Sequence, residues 1–467
     1  MKRRISIIER LSFIHVAGIR PRSQPGGYIL LTVLVMAFLL STMGMIGAQM
    51  LINNSRFNEF QSQSAEALNI SEAGVNYYMW HLAHNASDYK DGGTTPLTAP
   101  YGPYVHNFYD IDGNLLGTYT LYITPPSSGS TIVTIKSVGS VTNFPGTRTI
   151  LAQVGQPSFA NYALLSNAQV WFGSTETSNG PVFSNVGVHF DGVNNGTVSS
   201  ASSTYTPSAE YGGSGATENG VWGNGGPKSQ WQYPVPSVDF TKVTANLSTL
   251  QGEAASGGTQ LAPSKALGYY LYLRSDGLID YYKVTNESSS GITTTLISTG
   301  NAPPANGVMF VNDNVWVQGT NWPGRITIAS AVLPQNSSTN TNINIIGNLT
   351  YASLTGSDAI GLIAQNNVNV SNYAPSTINI DAALMAVVGN VWAEYPSPVR
   401  STINFFGSIA VSAIWTWNWV DGNNDIVAGY QTTNTSFDSN LVYAPPPQYP
   451  TTGSYSILNW REELSGP

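Results

Sequence analysis

The feature that most constrains this chain is an uncharged apolar run from Tyr28 to Ile52, YILLTVLVMAFLLSTMGMIGAQMLI. As a helix rising about 1.5 Å per residue, it can cross a bilayer core of roughly 30 Å. Gln49 and a few Ser, Thr and Gly residues interrupt it, and the flanking charges are Arg22 and Arg56. A helical pattern then continues through Phe57, Phe60, Ala65, Leu68, Ala73 and Val75. The expectation is one long helix over 28–85. Its first half, residues 28–52, has the lipid bilayer as partner, and its second half is amphipathic.

The chain beyond this helix is β-rich and poor in charge. Charged residues are 9% of the 467, against about a quarter in ordinary soluble chains. Solubility therefore rests on amides and hydroxyls. Hydrophobic residues, at 42%, suffice for a sizeable core. The net charge of −8 leaves no basic surface for phosphates, which argues against a nucleic-acid partner. Cysteine is absent, so disulfides and thiol chemistry are excluded.

Lys2, Arg3, Arg4, Arg10, Arg20 and Arg22 face one acid, Glu9, ahead of the apolar run. That asymmetry predicts a single-pass protein of the cytoplasmic membrane, N-terminus inside and body exported. The run exceeds the about 7–15 residues of a secretory signal core, and no A-x-A site comes after it. A basic leader ending in RPRSQPGG directly before YILLTVLV resembles the class III signal of type IV prepilins. The resemblance implies cleavage between Gly27 and Tyr28, with Gly26 the less favoured site. The Glu that this family carries five residues into the mature chain is replaced by Thr32, or by Leu31 if the cut is made after Gly26. This departure disfavours ordinary major-pilin packing and leaves room for a minor or tip subunit. QSAEALNISEAGVNYYMWHL (Gln63 to Leu82) is similar to the post-membrane stretch of PilX-type pilus assembly proteins. Pilin subunits or assembly machinery are the partners so implied; an uncleaved single-pass anchor is the alternative. Read directly, Ala65, Ala73 and Gly74 are small enough for close packing, and Tyr77, Tyr78 and Trp80 are placed to anchor the helix end.

The expected fold class is mainly β with one long N-terminal helix: a small antiparallel sheet, then a right-handed β-helix-like solenoid. A basic leader covers 1–27 and the sheet 100–155, where GTYTLYIT, STIVTIKSVGSV and TRTILAQV alternate between turn-like links. The solenoid covers 156–420, with loop and hairpin insertions at about 197–300, among them LGYYLYLRSDGLIDYYKV, whose Asp276-Gly277 suits a type I′ turn. Its repeats are INIIGNL from Ile343, INIDAAL from Ile378 and INFFGSI from Ile403, with Asn ladders at the turns. The alternative is a β-sandwich with incidental Ile-x-Ile pairs. A Pro-rich segment, 421–467, is expected to cap the last rung. GPVFSN, the repeats and PPPQYP with WREE resemble a bacterial surface domain of unknown function, which carries over no catalytic residues.

Four constellations carry chemistry worth weighing against plain structure. Asp421, Asn423 and Asp425 place oxygens at calcium-loop positions, but Ile426 stands where an EF-hand needs Gly and Thr432 where it needs Glu. Asp110, Asp112 and Asn114 repeat the partial pattern, and a plain turn explains both. Trp415, Trp417 and Trp419 alternate along one face, either closing the core or forming an exposed patch for surface glycans. His81 and His84 share a helix face with no third ligand evident. No GxSxG, HExxH or phosphate loop is present. The resulting expectation is a non-enzymatic surface protein without cofactor. The alternative is a membrane-stalked carbohydrate-binding or carbohydrate-active β-helix protein.

Overall fold

The computed structural model describes residues 27–94, 98–127, 129–423, 425–451 and 453–463, with backbone alone at 27 and 242–245. The leader expected over 1–27 lies outside them except for Gly27. The chain divides after Glu66 into two units.

The helix α1 (Gly27–His84) is continuous over 58 residues. In the first unit its side chains from Tyr28 to Ile52 are almost all exposed, and the helix is long and apolar enough to cross a membrane. Its hydroxyls bond back into the helix. Thr32 Oγ1 donates to Tyr28 O (3.0 Å), Ser41 Oγ to Ala37 O (2.7 Å) and Thr42 Oγ1 to Leu39 O (2.8 Å). Polar groups satisfied within the helix cost less in hydrocarbon than groups left open.

In the second unit α1 buries Ala67, Ile70, Ser71, Gly74, Val75, Tyr78 and Leu82, an i, i+3, i+4, i+7 stripe. The expected continuation of the helix through Phe57, Phe60, Ala65, Leu68, Ala73 and Val75 is present; Val75 is buried and Leu68 packs on the core, whereas Phe57 and Phe60 are more than half exposed. The stripe covers an antiparallel sheet of β1 (Tyr101–Tyr109), β2 (Leu115–Thr124), β3 (Ile132–Val141) and β4 (Thr147–Gly155). A fifth strand, Ser456–Glu463, pairs antiparallel with β4.

The remaining strands form a large sheet system dominated by parallel ladders, in keeping with a mainly β body after one long helix and a small antiparallel sheet. One ladder stacks Thr259–Leu261, Val308–Val311, 327–330, 361–364, 383–386 and 409–411. It continues onto Leu164–Ser166, Val182–Ser184, Val198–Ser200 and Trp231–Gln232. Spatial order is thus a permutation of chain order: the first segment of the body, at Leu164, lies on one of the last, at Ile409. The helix α2 (Thr241–Ser256) links the two ends of the ladder and packs Leu247, Leu250 and Ala254 against its outer side.

Neighbouring rungs at 344, 369 and 392 are 25 and 23 residues apart and are joined through asparagine side chains. Asn369 Nδ2 donates to Asn344 Oδ1 (2.8 Å) and Trp392 Nε1 to Asn369 Oδ1 (2.8 Å). A second file runs from Asn348 through Asn379 and Asn404 to Asn434, with steps of 2.8, 2.9 and 2.8 Å. Ile378 and Ile403 are in register, as their repeats suggest. The Ile343 repeat is not: its first triplet lies beside Val368–Val370, and Leu349 reaches Ile380. Ala382, Leu384 and Ala386 point into the core while Ala383, Met385 and Val387 face the outer layer. Burial on both faces accounts for the unbroken apolar run there.

Three boundaries change. The stretch 197–300 is not merely inserted, because Val198–Ser200, Trp231–Gln232, Thr259–Leu261 and Gly268–Leu273 all hold ladder positions. The body also runs past 420, since Ile426–Phe437 pairs with residues 399–407 and with Thr177–Asn179. Among the described residues the C-terminal segment lies along the flank and not over a terminal rung. Leu441 and Tyr449 cover the outer layer, and the half-buried Arg325 guanidinium holds the Pro-rich strap through Ala444 O and Pro445 O. The Asp276-Gly277 turn is not type I′, which needs positive φ at both central residues; only Gly277 has it, at 81°.

Asp381 lies in this body and accepts Tyr351 N–H (3.2 Å). Burial, helped by the charge of Asp438, pushes its carboxyl up to about 6. The folded chain therefore binds this proton more tightly than the unfolded chain, and the group's contribution to stability falls as pH rises from about 4 to 6. Asp381→Asn keeps an acceptor for Tyr351 and removes that dependence. The melting temperature of the variant minus that of the wild type is expected to be larger at pH 7 than at pH 4.5. An equal difference at both would contradict the assignment.

Candidate functional site

From Ala67 onward α1 becomes part of a core. The contact is close because both sides are small. A Cβ at Gly139 of β3 would strike the Ala67 carbonyl and the Ser71 amide; one at Gly74 would strike Ser137 Oγ and the Tyr119 ring. Around these points Ile70, Val75, Tyr78 and Leu82 pack on Leu121, Ile123, Val133, Ile135, Ile150, Ala152 and Val154. Full burial of each large apolar side chain contributes roughly 1.5–3 kcal/mol. The small residues let the helix axis come near enough for that burial.

The end of α1 is locked by polar groups that spacing alone does not reveal. Tyr77 OH donates to Asp91 Oδ1 (3.0 Å), and His106 of β1 pairs its Nε2 with Asp91 Oδ2 (2.7 Å). His81 Nε2 meets Asp88 Oδ2 at 3.1 Å, and Tyr78 OH donates to Asp88 O (3.2 Å). Burial opposes ionisation of Asp88, yet the N–H groups of Lys90 and Gly92 and the nearby His81 outweigh it and hold the carboxyl low. Burial first, and the bond to Asp91 second, raise the Tyr77 phenol to about 12. The chemistry is that of a fastening, in which each acid is occupied by donors from α1, β1 or its own loop. His84 is apart from it, pairing with Trp80 O (2.8 Å), and Trp80 remains exposed.

The other residues singled out in the sequence occupy separate places. Gly27 is the first residue of α1, and Tyr28 is exposed. Asp421, Asn423 and Asp425 form the exposed turn between Asn418–Val420 and Ile426–Phe437. Asp421 Oδ1 accepts the N–H of Asn423 (2.8 Å) and of Asp425 (3.1 Å). Asp110 does the same for Asp112 and Asn114; the bond from the Asn114 side chain heads the causes that lower its carboxyl. Among the described residues no group of three His, Cys, Asp or Glu side chains is placed to hold a metal ion.

Trp415, Trp417 and Trp419 do not share one exposed face. Trp415 and Trp417 are core residues, their rings 6.2 Å apart and edge-on. Trp419 lies outside with Trp392 and Tyr395 and donates to Ala393 O (2.9 Å). The strand breaks between Thr416 and Asn418, which interrupts the alternation.

No family model matches the chain, and no curated protein matches it in sequence. Among solved structures it is similar to the competence-associated pilin ComZ from Thermus thermophilus. Identity is 12% and the TM-score 0.30, over 86% of this chain and 98% of that one.

Gly139→Val tests the close approach, because the blocking atoms are backbone and cannot swing aside. It is expected to destabilise the second unit by about 1–3 kcal/mol. The measurement is the urea midpoint of the detergent-solubilised chain; an unchanged midpoint would refute the contact.

Proposed function

We propose that this chain is a pilin-like, membrane-anchored bacterial surface protein, a minor or tip component of a type IV pilus system. The observation that carries the reading is that α1 serves two environments without a break. Its uncharged residues 28–52 are exposed and apolar, and its residues 67–82 are a core element of the small sheet. Anchorage and display then share one continuous helix. The residues before Tyr28 add the leader resemblance, with processing after Gly27. In a fibre interior an acid near the start of each subunit offsets a neighbour's buried ammonium. Here Thr32 stands in that place, its hydroxyl held by Tyr28 O and Ile29 O. That arrangement suits a subunit with no neighbour above it.

The β body acts in this reading by contact and not by catalysis. Its acids with raised pKa are engaged in the fold: Glu176 accepts Gly173 N–H, Asp381 accepts Tyr351 N–H, Glu394 accepts Asn372 N–H, and Asp438 accepts Asn440 N–H.

Expression in a host with a prepilin peptidase, and then N-terminal sequencing of the membrane fraction, is the test. The mature chain is expected to begin at Tyr28, and Gly27→Val to retain the leader. A wild-type chain still beginning at Met1 would overturn the pilin route and leave a plain membrane anchor.

A further inference from the structure

The ladders of the body have a free end. No strand pairs with the outer side of Val221–Trp222 or of Trp231–Gln232 among the described residues. Stacked-repeat folds need their terminal unit covered or made polar, because each repeat relies on a neighbour to bury its inner face. The C-terminal strap does not supply that cover, being engaged on the flank and on β4. At this end lies an open pocket of about 310 Å³, lined by Asn219, Val221, Trp222, Lys228, Trp231 and Tyr233. Trp231 takes the ladder position of the core residue Val198, and Trp231 and Tyr233 both pack against the core.

Two neighbouring features define the chemistry. Trp222 ends a stack of flat rings. His189 lies 3.8 Å from it at 11°, and Trp171 lies 5.3 Å beyond at 1°. Trp222 Nε1 is held by Tyr205 OH (2.9 Å), which fixes the indole. Lys228 sits with Nζ 5.1 Å above the Trp231 ring, on an exposed side chain. The lining thus combines three aromatic residues, one amide and one cation, with no carboxylate.

We infer that this terminal pocket binds a glycan through an acidic pyranose. A sugar ring offers apolar C–H faces to aromatic side chains and hydroxyls to an amide. The lone cation selects a ring that bears a carboxylate or sulfate. A nucleic acid fits less well, because one lysine cannot neutralise a run of phosphates. The site is distinct from Trp415 and Trp417, whose rings are enclosed. The inference does not rest on pilus membership, so processing of the leader and binding at this end fail or succeed separately.

The test uses the full chain in detergent, titrated with tetragalacturonate, its methyl ester and a short oligothymidylate. Tetragalacturonate is expected to bind saturably and more tightly than the ester. Trp231→Leu weakens it by about tenfold, a change of about 1.4 kcal/mol. Lys228→Gln, on an exposed side chain, removes the preference for the acid over the ester while the melting temperature stays unchanged. If Trp231→Leu disturbs the fold, Lys228→Gln and Asn219→Ala decide the matter alone. Absence of saturable binding, an acid preference that survives Lys228→Gln, or tighter binding of the oligothymidylate would each overturn the assignment.

Discussion

The structure depends on one parallel pairing, that of Ile409–Val411 with Leu164–Ser166. It joins strands that chain order places at opposite ends of the body. Its necessity comes from the small sheet. β4 and the strand Ser456–Glu463 are neighbours, with Gly155 opposite Ser456, so the body is inserted between two adjacent strands. A chain that leaves a sheet and must return to the next position needs entry and exit side by side. A stack of rungs built in chain order would separate them by its whole length. Starting in the middle, running out to one end, crossing back on α2 and filling from the other end solves the problem. It also gives each half a partner for the strand edge it would otherwise expose.

That topology explains which elements are legible in the sequence and which are not. Period-two alternation marks β2, β3 and β4, because one face of each meets α1 and the other meets water. The Ile378 and Ile403 repeats are legible because they lie in register on one face. The stacking of Leu164 on Ile409 leaves no such trace, since a parallel edge accepts any short apolar triplet. The fifth strand is hidden for a different reason. Ser456–Glu463 is an edge strand ending in the charged residues Arg461, Glu462 and Glu463, and reads as a polar tail. Glu462 and Glu463 pair with Arg148 and Lys136 of the neighbouring strands, a complementarity visible only once the strand is placed. Likewise VWG and QWQY read as loop aromatics, although Trp231 and Tyr233, two apart, share one face of a terminal rung.

A chain with few charges must still satisfy its polar backbone at every turn between rungs. Asparagine does this here by reaching to the rung beside it. Asn314 Oδ1 accepts Asn342 N–H, Asn367 Oδ1 accepts Asn390 N–H, and Asn390 Oδ1 accepts Ile414 N–H, each at 2.8 or 2.9 Å. An amide both gives and receives, so one residue per rung extends the file without a charge to desolvate. Charged groups add fastenings of their own: Asp88 and Asp91 at the end of α1, and Arg325 under the strap.

The cores are correspondingly separate. The core beneath α1 is built from residues 68–154 with Tyr455, whereas the two cores of the body draw on residues 159–449 alone. Changes in contact couple energetically, and changes in separate cores add. The insertion point at the sheet edge is what makes this separation feasible, since the strands under α1 stay consecutive. The inserted body can therefore alter its terminal pocket without disturbing the packing of α1 on β2 and β3. Conversely, the collision points at Gly74 and Gly139 constrain the helix–sheet contact whatever the body carries. The residues of the terminal pocket and those of the helix–sheet contact therefore belong to separate cores, so a change in one set leaves the other intact.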